Sequence, residues 1–402
     1  MTTTTAAPPT GAGVERPSSV GEAAQVLRDT TGTVLFRGGG TKMAWGGTPA
    51  VGGLVLETGA LCRLLSHNPA DMTVRVEAGM PLRALQEQLS SDGQWLALDP
   101  PTEGGGATVG GLLATGDFGP RRLRYGAVRD LVIGVTLVLA DGTVARAGGQ
   151  VIKNVAGYDL SKLAYGSLGT LALVAEVALR VHPRPQASAT VVVETSLQDA
   201  AGGSLRLLGS PLEPSAVDWA GDPRAATGRL AVRFEGSGAG VAAQVAACRE
   251  LLTESRAPLE QLSDSAESAL WDGLAAEWRG QPGQTVAFAG TLASRSITVG
   301  AALGEAGEAA GARVRLVSHV ALGLHTAHFG GDPVAQASAF GRWRDAVLNA
   351  GGTVLLRERP EAVDAIVDAV GPPPAAAALL RAVKSRLDPH GRLAPGRLGS
   401  WL

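Results

Sequence analysis

The stretch Val34-Leu-Phe-Arg-Gly-Gly-Gly-Thr-Lys42 joins a short apolar run to a glycine loop. The apolar run predicts a buried strand, and the three glycines allow the chain to turn sharply after it. Successive backbone N–H groups in such a turn form a concavity that suits anions, phosphates above all. Arg37 and Lys42 add positive charge, and Thr41 adds a hydroxyl. The stretch predicts a loop that holds a diphosphate, although an ordinary turn between two strands fits the same residues.

A second glycine-rich stretch, Glu103-Gly-Gly-Gly-Ala-Thr-Val-Gly-Gly-Leu-Leu-Ala-Thr115, predicts a flexible turn and then a short helix that opens at residues 108–111. The amide groups at the start of this helix, and the positive end of its dipole, would face outward. Two such elements indicate an extended ligand with two phosphates. Met43 stands where a G-x-G-x-x-G pattern needs its last glycine, and no G-x-x-x-x-G-K-[ST] occurs. The ligand is therefore expected to lie outside the common NAD and ATP folds.

Composition excludes several classes of protein. The 402 residues suffice for two or three domains, and a net charge of -2 gives no basic field for nucleic acid. The two cysteines, Cys62 and Cys248, lie far apart, which argues against a disulfide framework, structural zinc and an iron–sulfur cluster. The N-terminus lacks a signal peptide, and the apolar run 131–140 is too short to span a bilayer. We expect a cytoplasmic protein without direct membrane insertion, whose only membrane association would come through partners.

Turn signals and apolar periodicity predict short strands and helices along the whole chain. Predicted strands are 34–36, 54–57, 73–77, 95–98, 131–140, 143–147, 171–181, 191–194, 230–234, 285–288, 313–317 and 353–357. Predicted helices are 19–30, 82–89, 241–253, 265–278, 301–310 and 374–387. Asp141-Gly142 is a strong hairpin signal between two of the strands. His182-Pro-Arg-Pro185 is predicted to be a domain boundary.

Five spaced motifs in the first half of the chain resemble the FAD-binding domain of the vanillyl-alcohol oxidase and p-cresol methylhydroxylase (PCMH) type. They are Phe36-Arg-Gly-Gly-Gly-Thr-Lys42, Ala107-Thr-Val-Gly-Gly111, Ala114-Thr115, Tyr125-Gly126 and Gly166-Ser-Leu-Gly-Thr170. The stretch Lys153-Asn-Val-Ala-Gly-Tyr-Asp-Leu160 narrows the resemblance to the glycolate oxidase and D-2-hydroxy-acid dehydrogenase branch. Arg121-Arg-Leu-Arg-Tyr-Gly126 and the tail Leu387-Asp-Pro-His-Gly-Arg-Leu-Ala-Pro-Gly-Arg397 look most like the FAD-binding subunits of bacterial glycolate oxidases.

The resemblance implies an α+β fold with three parts. A disordered N-terminus, 1–15, would precede a two-subdomain PCMH-type FAD-binding domain, 16–185, with subdomains of about 16–100 and 101–185. A cap domain with an antiparallel sheet, 186–402, would follow. FAD would be bound noncovalently, because the first loop contains no histidine or cysteine for attachment. The residues implied to contact FAD are Arg37, Gly38, Gly39, Gly40, Thr41, Lys42, Pro101, Thr108, Gly110, Gly111, Thr115, Tyr125, Gly126, Gly169, Thr170 and Val174.

The resemblance also implies a place in a complex. A sister FAD subunit would oxidise glycolate, or a similar small 2-hydroxy acid, to the 2-oxo acid, and an iron–sulfur subunit would carry the electrons on. Relatives of this branch carry H-x-x-D-G-N-x-H in the cap, whereas Leu322 and Leu324 stand about where the acidic and amide residues belong here. Because leucine neither accepts a proton nor binds a metal, we predict no metal site and assign no catalytic residue.

Two groups of side chains leave alternatives open. Four arginines fit a solvated loop, a cofactor or carboxylate pocket, or contact with an acidic partner: Arg121, Arg122, Arg124 and Arg129. Three histidines fit a structural or solvent-facing role, a place at the flavin or substrate, or a metal site: His319, His325 and His328. A self-sufficient FAD-dependent D-2-hydroxy-acid dehydrogenase would use one of these arginines for the carboxylate and His319 or His325 for the hydroxyl proton. A non-catalytic scaffold subunit is the third hypothesis.

Overall fold

The computed structural model describes residues 12–50, 53–149, 158–225, 227–252, 257–399 and 401–402. The chain divides into two compact units. Unit 1 consists of the described residues up to 118, those of 126–184 and those from 370 onward. Unit 2 consists of residues 119–125 and the described residues of 185–369. Part of the expected disordered N-terminus and residues 153–157 of the branch motif lie outside the described residues.

The secondary structure alternates short strands with helices throughout. The strands are β1 Gly13–Glu15, β2 Val34–Arg37, β3 Leu54–Glu57, β4 Leu64–Asn68, β5 Thr73–Glu77, β6 Gln94–Trp95, β7 Val132–Val138, β8 Val144–Gly148, β9 Leu173–Arg180, β10 His182–Pro183, β11 Ala187–Thr195, β12 Ala216–Gly221, β13 Gly228–Gly236, β14 Leu259–Leu262, β15 Thr285–Gly290, β16 Arg313–His319, β17 Leu324–Gly330 and β18 Thr353–Glu358. The helices are α1 Val20–Asp29, α2 Leu82–Ser90, α3 Val109–Thr115, α4 Arg122–Tyr125, α5 Val128–Leu131, α6 Leu160–Ala164, α7 Leu197–Leu208, α8 Gly238–Leu252, α9 Asp264–Arg279, α10 Ser296–Ala310, α11 Pro333–Asn349, α12 Glu361–Asp364 and α13 Ala377–Leu387.

A small parallel sheet of unit 1 carries the first glycine loop. Its strand order is β1-β3-β2, and the loop begins where β2 ends. Helix α1 starts at the predicted N-cap, Ser19, whose hydroxyl accepts a hydrogen bond from the Glu22 amide at 3.1 Å. The helix buries Leu27 in the same core as Val34 and Leu56. Burial of Val34, the first residue of β2, therefore anchors the strand that leads into the glycine loop.

A five-stranded antiparallel sheet forms the rest of the scaffold of unit 1. Its strand order is β4-β5-β9-β7-β8. Alternation of side chains directs Val74 and Val76 into the core beneath α2 and α3, and Arg75 to the opposite face. The predicted hairpin at Asp141-Gly142 is confirmed, because β7 and β8 pair antiparallel and Gly142 has a φ of 80°. The predicted strand at 95–98 is wrong beyond Trp95, since β6 ends there.

Unit 2 is built on one large sheet. Eight antiparallel strands run in the order β14-β11-β13-β12-β16-β17-β15-β18. Helices α7, α8, α10 and α11 cover one face with an apolar core that includes Trp219, Phe234 and Trp343. Helix α9 approaches the opposite face, where Trp271 Nε1 donates to Thr190 Oγ1 at 2.9 Å. The α+β class and the antiparallel sheet expected for the second half are both confirmed.

Several segments differ from the predicted division of the chain. Residues 370–402 belong to unit 1, although the cap was expected to include them, because Leu393 is fully buried in the core of α1. Residues 119–125 belong to unit 2, because Leu123 packs on its core. Gly13–Glu15 form β1, which pairs with β3, where disorder was expected. Among the described residues, no helix has both the length and the apolar character that a bilayer crossing requires.

Candidate functional site

One pocket of unit 1 brings together three separate stretches of sequence. They are the glycine loop after β2, the start of α3, and the turn that leads into β9. The predicted residues that line the pocket are Gly38, Gly39, Gly40, Thr41, Lys42, Thr108, Gly110, Gly111, Thr115, Gly169 and Val174. Lining residues that were not among the implied FAD contacts are Phe36, Met43, Thr58, Ala78, Ala114, Leu168, Ala172, Leu173 and Arg397. The expected convergence of the glycine stretches is therefore present within this unit.

Close backbone contact explains the glycines of the first loop. A Cβ on Gly38 would lie 2.3 Å from Thr108 Oγ1, and one on Gly39 would lie 1.9 Å from the Gly106 carbonyl oxygen. Gly40 has a φ of 72°, which a side chain disfavours. The two glycine stretches thus touch each other directly, and a side chain at either position would separate them.

The backbone amides of the first loop belong to residues that line the pocket. Within the described ranges, the N–H groups of Gly38, Gly39, Gly40 and Thr41 make no hydrogen bond to the protein. Amides that are withdrawn from bulk water are almost always paired in folded proteins, so four neighbouring half-buried amides without acceptors among the described residues favour a ligand here. An anion is the ligand that several convergent N–H donors favour.

The start of α3 is arranged differently from the prediction. The Val109 amide donates to Met80 O at 3.0 Å, and the Gly110 amide donates to Ala78 O at 2.7 Å. The Gly111 amide donates to the side chain of the N-cap, Thr108, at 3.2 Å. The amides that were expected to face a phosphate are thus bonded within the protein. Residues of this stretch line the pocket, but the hydrogen bonds of its amides at 109–111 leave the first loop as the better candidate for binding an anion.

The two cations of the first loop are paired with carboxylates. Arg37 Nη1 lies 3.1 Å from Glu57 Oε1, and Arg37 does not line the pocket. Lys42 Nζ lies 3.3 Å from Asp117 Oδ2, and both side chains are buried. These carboxylates offset the positive charge that the two residues bring to the loop, and the role of Arg37 and Lys42 at a phosphate stays a prediction. Removal of either member of the buried Lys42–Asp117 pair would leave an uncompensated charge.

The remaining predicted contact residues are not among the residues that line the pocket. The Thr170 hydroxyl donates to Ser167 O at 2.7 Å and so closes the turn before β9. Pro101 is buried in unit 1, Gly126 has a φ of 82°, and Tyr125 belongs to α4 of unit 2. The hydrogen bond gives the Thr170 side chain a structural role in this turn. The role of these residues at a cofactor stays a prediction.

Arg121, Arg124 and Arg129 of the arginine cluster contact carboxylates of the chain itself. Arg121 donates to Glu235 Oε1 through Nε at 3.0 Å and through Nη2 at 2.8 Å. Burial opposes ionisation of Glu235, yet Arg121 and Arg233 hold its pKa below the ordinary value. Arg124 Nη2 lies 3.3 Å from Glu213 Oε2, and Arg129 Nε lies 3.6 Å from Asp130 Oδ1. Of the alternatives, these contacts favour pairing of the arginines with acidic groups, and the acidic groups are carboxylates of the same chain.

The three histidines occupy β16 and β17 in unit 2. His319 Nδ1 contacts the buried carboxylate of Asp218, and its ring stacks on Trp278 with centroids 4.1 Å apart. His325 lies between two hydroxyls, with Nδ1 2.8 Å from Ser318 Oγ and Nε2 3.1 Å from Thr291 Oγ1. Each histidine is almost completely buried, so the solvent-facing alternative is wrong.

Burial keeps two of these histidines neutral. It lowers the pKa of His325 to about 3, with a smaller effect from His319. Burial, together with the charges of Arg315 and Arg357, lowers the pKa of His328 to about 4. His325 and His328 are three residues apart on β17 and therefore face opposite sides of the sheet. Over the described part of the chain, no group of three or more His, Cys, Asp or Glu side chains is placed to hold a metal ion.

Comparison with known proteins identifies the part of the chain that carries most of the pocket lining. Residues 12–148 match the profile of the family described as "FAD binding domain". Glycolate oxidase subunit GlcE of Escherichia coli (strain K12) is 40% identical over 176 residues, which cover 44% of this chain and 49% of that protein. Glycolate oxidase subunit GlcD of Bacillus subtilis (strain 168) is 32% identical over 191 residues, covering 47% of this chain and 40% of that protein. The matched region thus spans half or less of these relatives.

A solved structure shares the fold over a longer range. Alkyldihydroxyacetonephosphate synthase superposes with a TM-score of 0.71 and 17% identity. The superposition covers 95% of this chain and 75% of that one. At this identity the likeness concerns the fold alone. The expected resemblance to FAD-binding proteins of the PCMH type is confirmed by the sequence matches together with this fold.

Proposed function

The chain carries an FAD-binding domain of the PCMH type and is related to FAD-dependent oxidoreductases, and from this premise we propose that it is the FAD-binding subunit of a glycolate oxidase-type complex. The complex would oxidise glycolate, or a similar small 2-hydroxy acid, to the 2-oxo acid. Bound FAD supplies a hydride acceptor in such chemistry. Both relatives named above are subunits of a glycolate oxidase, which supports the assignment.

The observation that carries this proposal is the row of amides at residues 38–41. In the proposed complex these N–H groups hold the FAD diphosphate, and the touching glycine stretches keep the backbone close enough to it. Thr108, Thr115, Gly169 and Val174 line the rest of the pocket and would contact the cofactor along its length. Among the described residues that line the pocket there is no histidine or cysteine, which supports noncovalent binding.

The number of cysteines and the residues between β16 and β17 support the proposal of two partner subunits. It has two cysteines in total, whereas cysteine-ligated iron–sulfur clusters usually need four thiolates. An iron–sulfur subunit would therefore carry electrons onward, and a sister FAD subunit would oxidise the substrate. Leu322 lies in the turn between β16 and β17, and Leu324 begins β17, where neither can act on a substrate proton. We place the complex in the cytoplasm, with any membrane association through a partner.

A self-sufficient 2-hydroxy-acid dehydrogenase is the second candidate. The Asp218–His319 pair favours it, because a carboxylate that orients an imidazole is a common arrangement for a general base. Glu235 argues against Arg121 as its carboxylate clamp, because that guanidinium is already bonded through two nitrogens. The two candidates differ in whether this chain alone oxidises a substrate.

Spectroscopy of the purified chain tests the proposal. We expect a yellow protein whose flavin is not bleached by glycolate or D-lactate in the absence of air, and is bleached once the partner subunits are added. Acid precipitation should release the flavin into the supernatant, because the pocket offers no covalent attachment. Bleaching by the chain alone would favour the second candidate. A colourless protein that also fails to bind added FAD would overturn both, and flavin retained on the pellet would contradict noncovalent binding.

A further inference from the structure

The C-terminal residues contribute a side chain to the proposed FAD pocket. Arg397 lines the pocket and is 4% exposed. We propose that the C-terminal tail, defined as residues 384–397, holds the first glycine loop in its anion-binding shape, with Arg397 as a positioning residue. A consequence is that FAD binding and docking of the tail stabilise each other. This inference rests on the proposed function, since it concerns the same pocket.

Arg397 bonds to the backbone that follows the glycine loop. Its Nη1 donates to the carbonyl oxygen of Met43 and to that of Trp45, the latter at 3.0 Å. The Gly47 amide donates to Arg397 O at 2.8 Å, and the Ala50 amide donates to Pro395 O at 3.1 Å. The backbone between Met43 and Ala50 is thus bonded repeatedly to the tail.

Two further glycines allow this approach. A Cβ on Gly46 would lie 2.5 Å from Arg397 O, and one on Gly47 would lie 2.3 Å from Gly396 O. Gly46 also has a φ of 74°. Backbone contact this close leaves no room for a side chain. The loop and the tail are therefore shaped for each other over several residues.

The tail also holds the strand that precedes the glycine loop. The Val34 amide donates to Arg392 O at 2.8 Å, and the Ala394 amide donates to Val34 O at 2.9 Å. Leu393 lies between these bonds and is fully buried with Val34 in the core of α1. The glycine loop is consequently bracketed by tail contacts, at β2 before it and at residues 43–50 after it.

The buried side chain of Lys384 bonds to other residues of the tail and to the turn before β9. Lys384 Nζ lies 2.6 Å from Asp388 Oδ2 and donates to Thr170 O at 2.6 Å and to Leu393 O at 3.0 Å. Asp388 accepts from the amides of Arg392, at 3.0 Å, and Leu393, at 2.7 Å. Thr170 belongs to the turn before β9, whose neighbour Gly169 lines the pocket. One buried ion pair thus joins the tail to a second wall of the pocket.

These contacts matter because the glycine loop does little to hold its own shape. Its residues 38–41 line the pocket, and their amides have no acceptor in the described part of the protein, so the loop gains no internal hydrogen bonds from them there. The positions of its two ends then decide whether the four donors converge. A ligand that needs convergent N–H donors binds more tightly when the tail is docked against the loop. Because thermodynamic coupling is reciprocal, the bound ligand also strengthens docking of the tail.

The test measures FAD affinity and tail protection in the full chain. Flavin is removed reversibly, and the dissociation constant is measured from the quenching of flavin fluorescence for wild type and Arg397→Met. We expect a loss of affinity of at least about tenfold, because two hydrogen bonds from a charged donor are lost. Arg83→Met is the matched control, since Arg83 is exposed on α2 and belongs neither to the tail nor to the pocket lining, and it should bind FAD like wild type.

Hydrogen exchange supplies the second measurement. In wild type, the amides of Leu393 and Ala394 should exchange more slowly with FAD than without it, and Arg397→Met should lose that difference. Arg397→Lys separates positioning from charge. Lysine keeps the charge but cannot reproduce the guanidinium fork, so we expect it to restore affinity only partly. Full restoration would overturn the positioning role.

The outcomes distinguish this inference from the proposed function. A wild-type chain that does not bind FAD would defeat the proposed function and this inference with it. A wild-type chain that binds FAD, together with Arg397→Met that binds equally well, would overturn the inference alone. Exchange of Leu393 and Ala394 that is unaffected by FAD in wild type would overturn the coupling. If Arg397→Met does not fold, the affinity of Arg397→Lys and the wild-type exchange decide.

Discussion

Replacement of Gly39 by alanine is expected to weaken FAD binding by about a hundredfold. The new Cβ would lie 1.9 Å from the carbonyl oxygen of Gly106, and 2.8 Å from its carbonyl carbon. Both are backbone atoms, so no side-chain rotation can relieve the overlap. The two glycine stretches must separate, and overpacking of this kind costs about 1–3 kcal/mol, the upper part of which corresponds to about a hundredfold in affinity. The amides of residues 38–41 would then no longer converge.

A matched glycine in the neighbouring stretch serves as control. Gly104 is exposed, and a Cβ there would meet nothing within 4 Å. Gly104→Ala should therefore bind FAD like wild type. FAD affinity is measured for both variants by fluorescence titration, with circular dichroism to verify that they are folded. Equal affinity of folded Gly39→Ala and wild type would contradict the assignment of this loop to the diphosphate.

Acidification from pH 7 to pH 5 is expected to destabilise unit 2 through its buried histidines. The folded-state pKa values of His325 and His328 are lowered to about 3 and about 4, chiefly by burial. A histidine in the unfolded chain has a pKa of about 6.5. Their stabilising contribution is thus fully present above about pH 6.5 and is lost as pH falls toward the folded-state values. Each should cost on the order of 2 kcal/mol by pH 5.

Denaturant unfolding followed by tryptophan fluorescence measures this loss. Trp219 and Trp343 are fully buried reporters in unit 2. His328→Gln should lose less stability than wild type between pH 7 and pH 5, because glutamine does not titrate. His390→Gln is the control, since His390 is exposed in unit 1. A His328→Gln variant with the full pH dependence of wild type would show that this imidazole does not contribute.

Much of the fold could be predicted where local pattern and burial agree. Residues 73–77 alternate as a sheet with one buried face requires, and the predicted strand coincides with β5. Strand β17 went unrecognised because it is buried along almost its whole length and carries His325, Thr326 and His328. Its sequence therefore lacks the alternation that identifies a half-buried strand. Helix α11 was also missed, although Asp332 caps it and Pro333 opens it, as a helix start favours.

The candidate site shows the same division between local and long-range information. Arg37 and Lys42 suggest a positive loop in sequence, but carboxylates at positions 57 and 117 pair with them in the fold. The sequence could not reveal this pairing, because charge pairing depends on which segments meet. The tail motif that ends at Arg397 was noted as a resemblance, yet its place beside the glycine loop appears only in the fold.

The sequence by itself determined that residues 38–40 form a loop in which backbone approaches backbone. The absence of a side chain is a local property, and three consecutive glycines state it without reference to the rest of the chain. Only the tertiary structure decided which amides are available to a ligand. The amides at 109–111 find acceptors at Met80, Ala78 and Thr108, whereas those at 38–41 find none among the described residues. Hydrogen-bond partners from distant segments make that difference, and local sequence does not encode them.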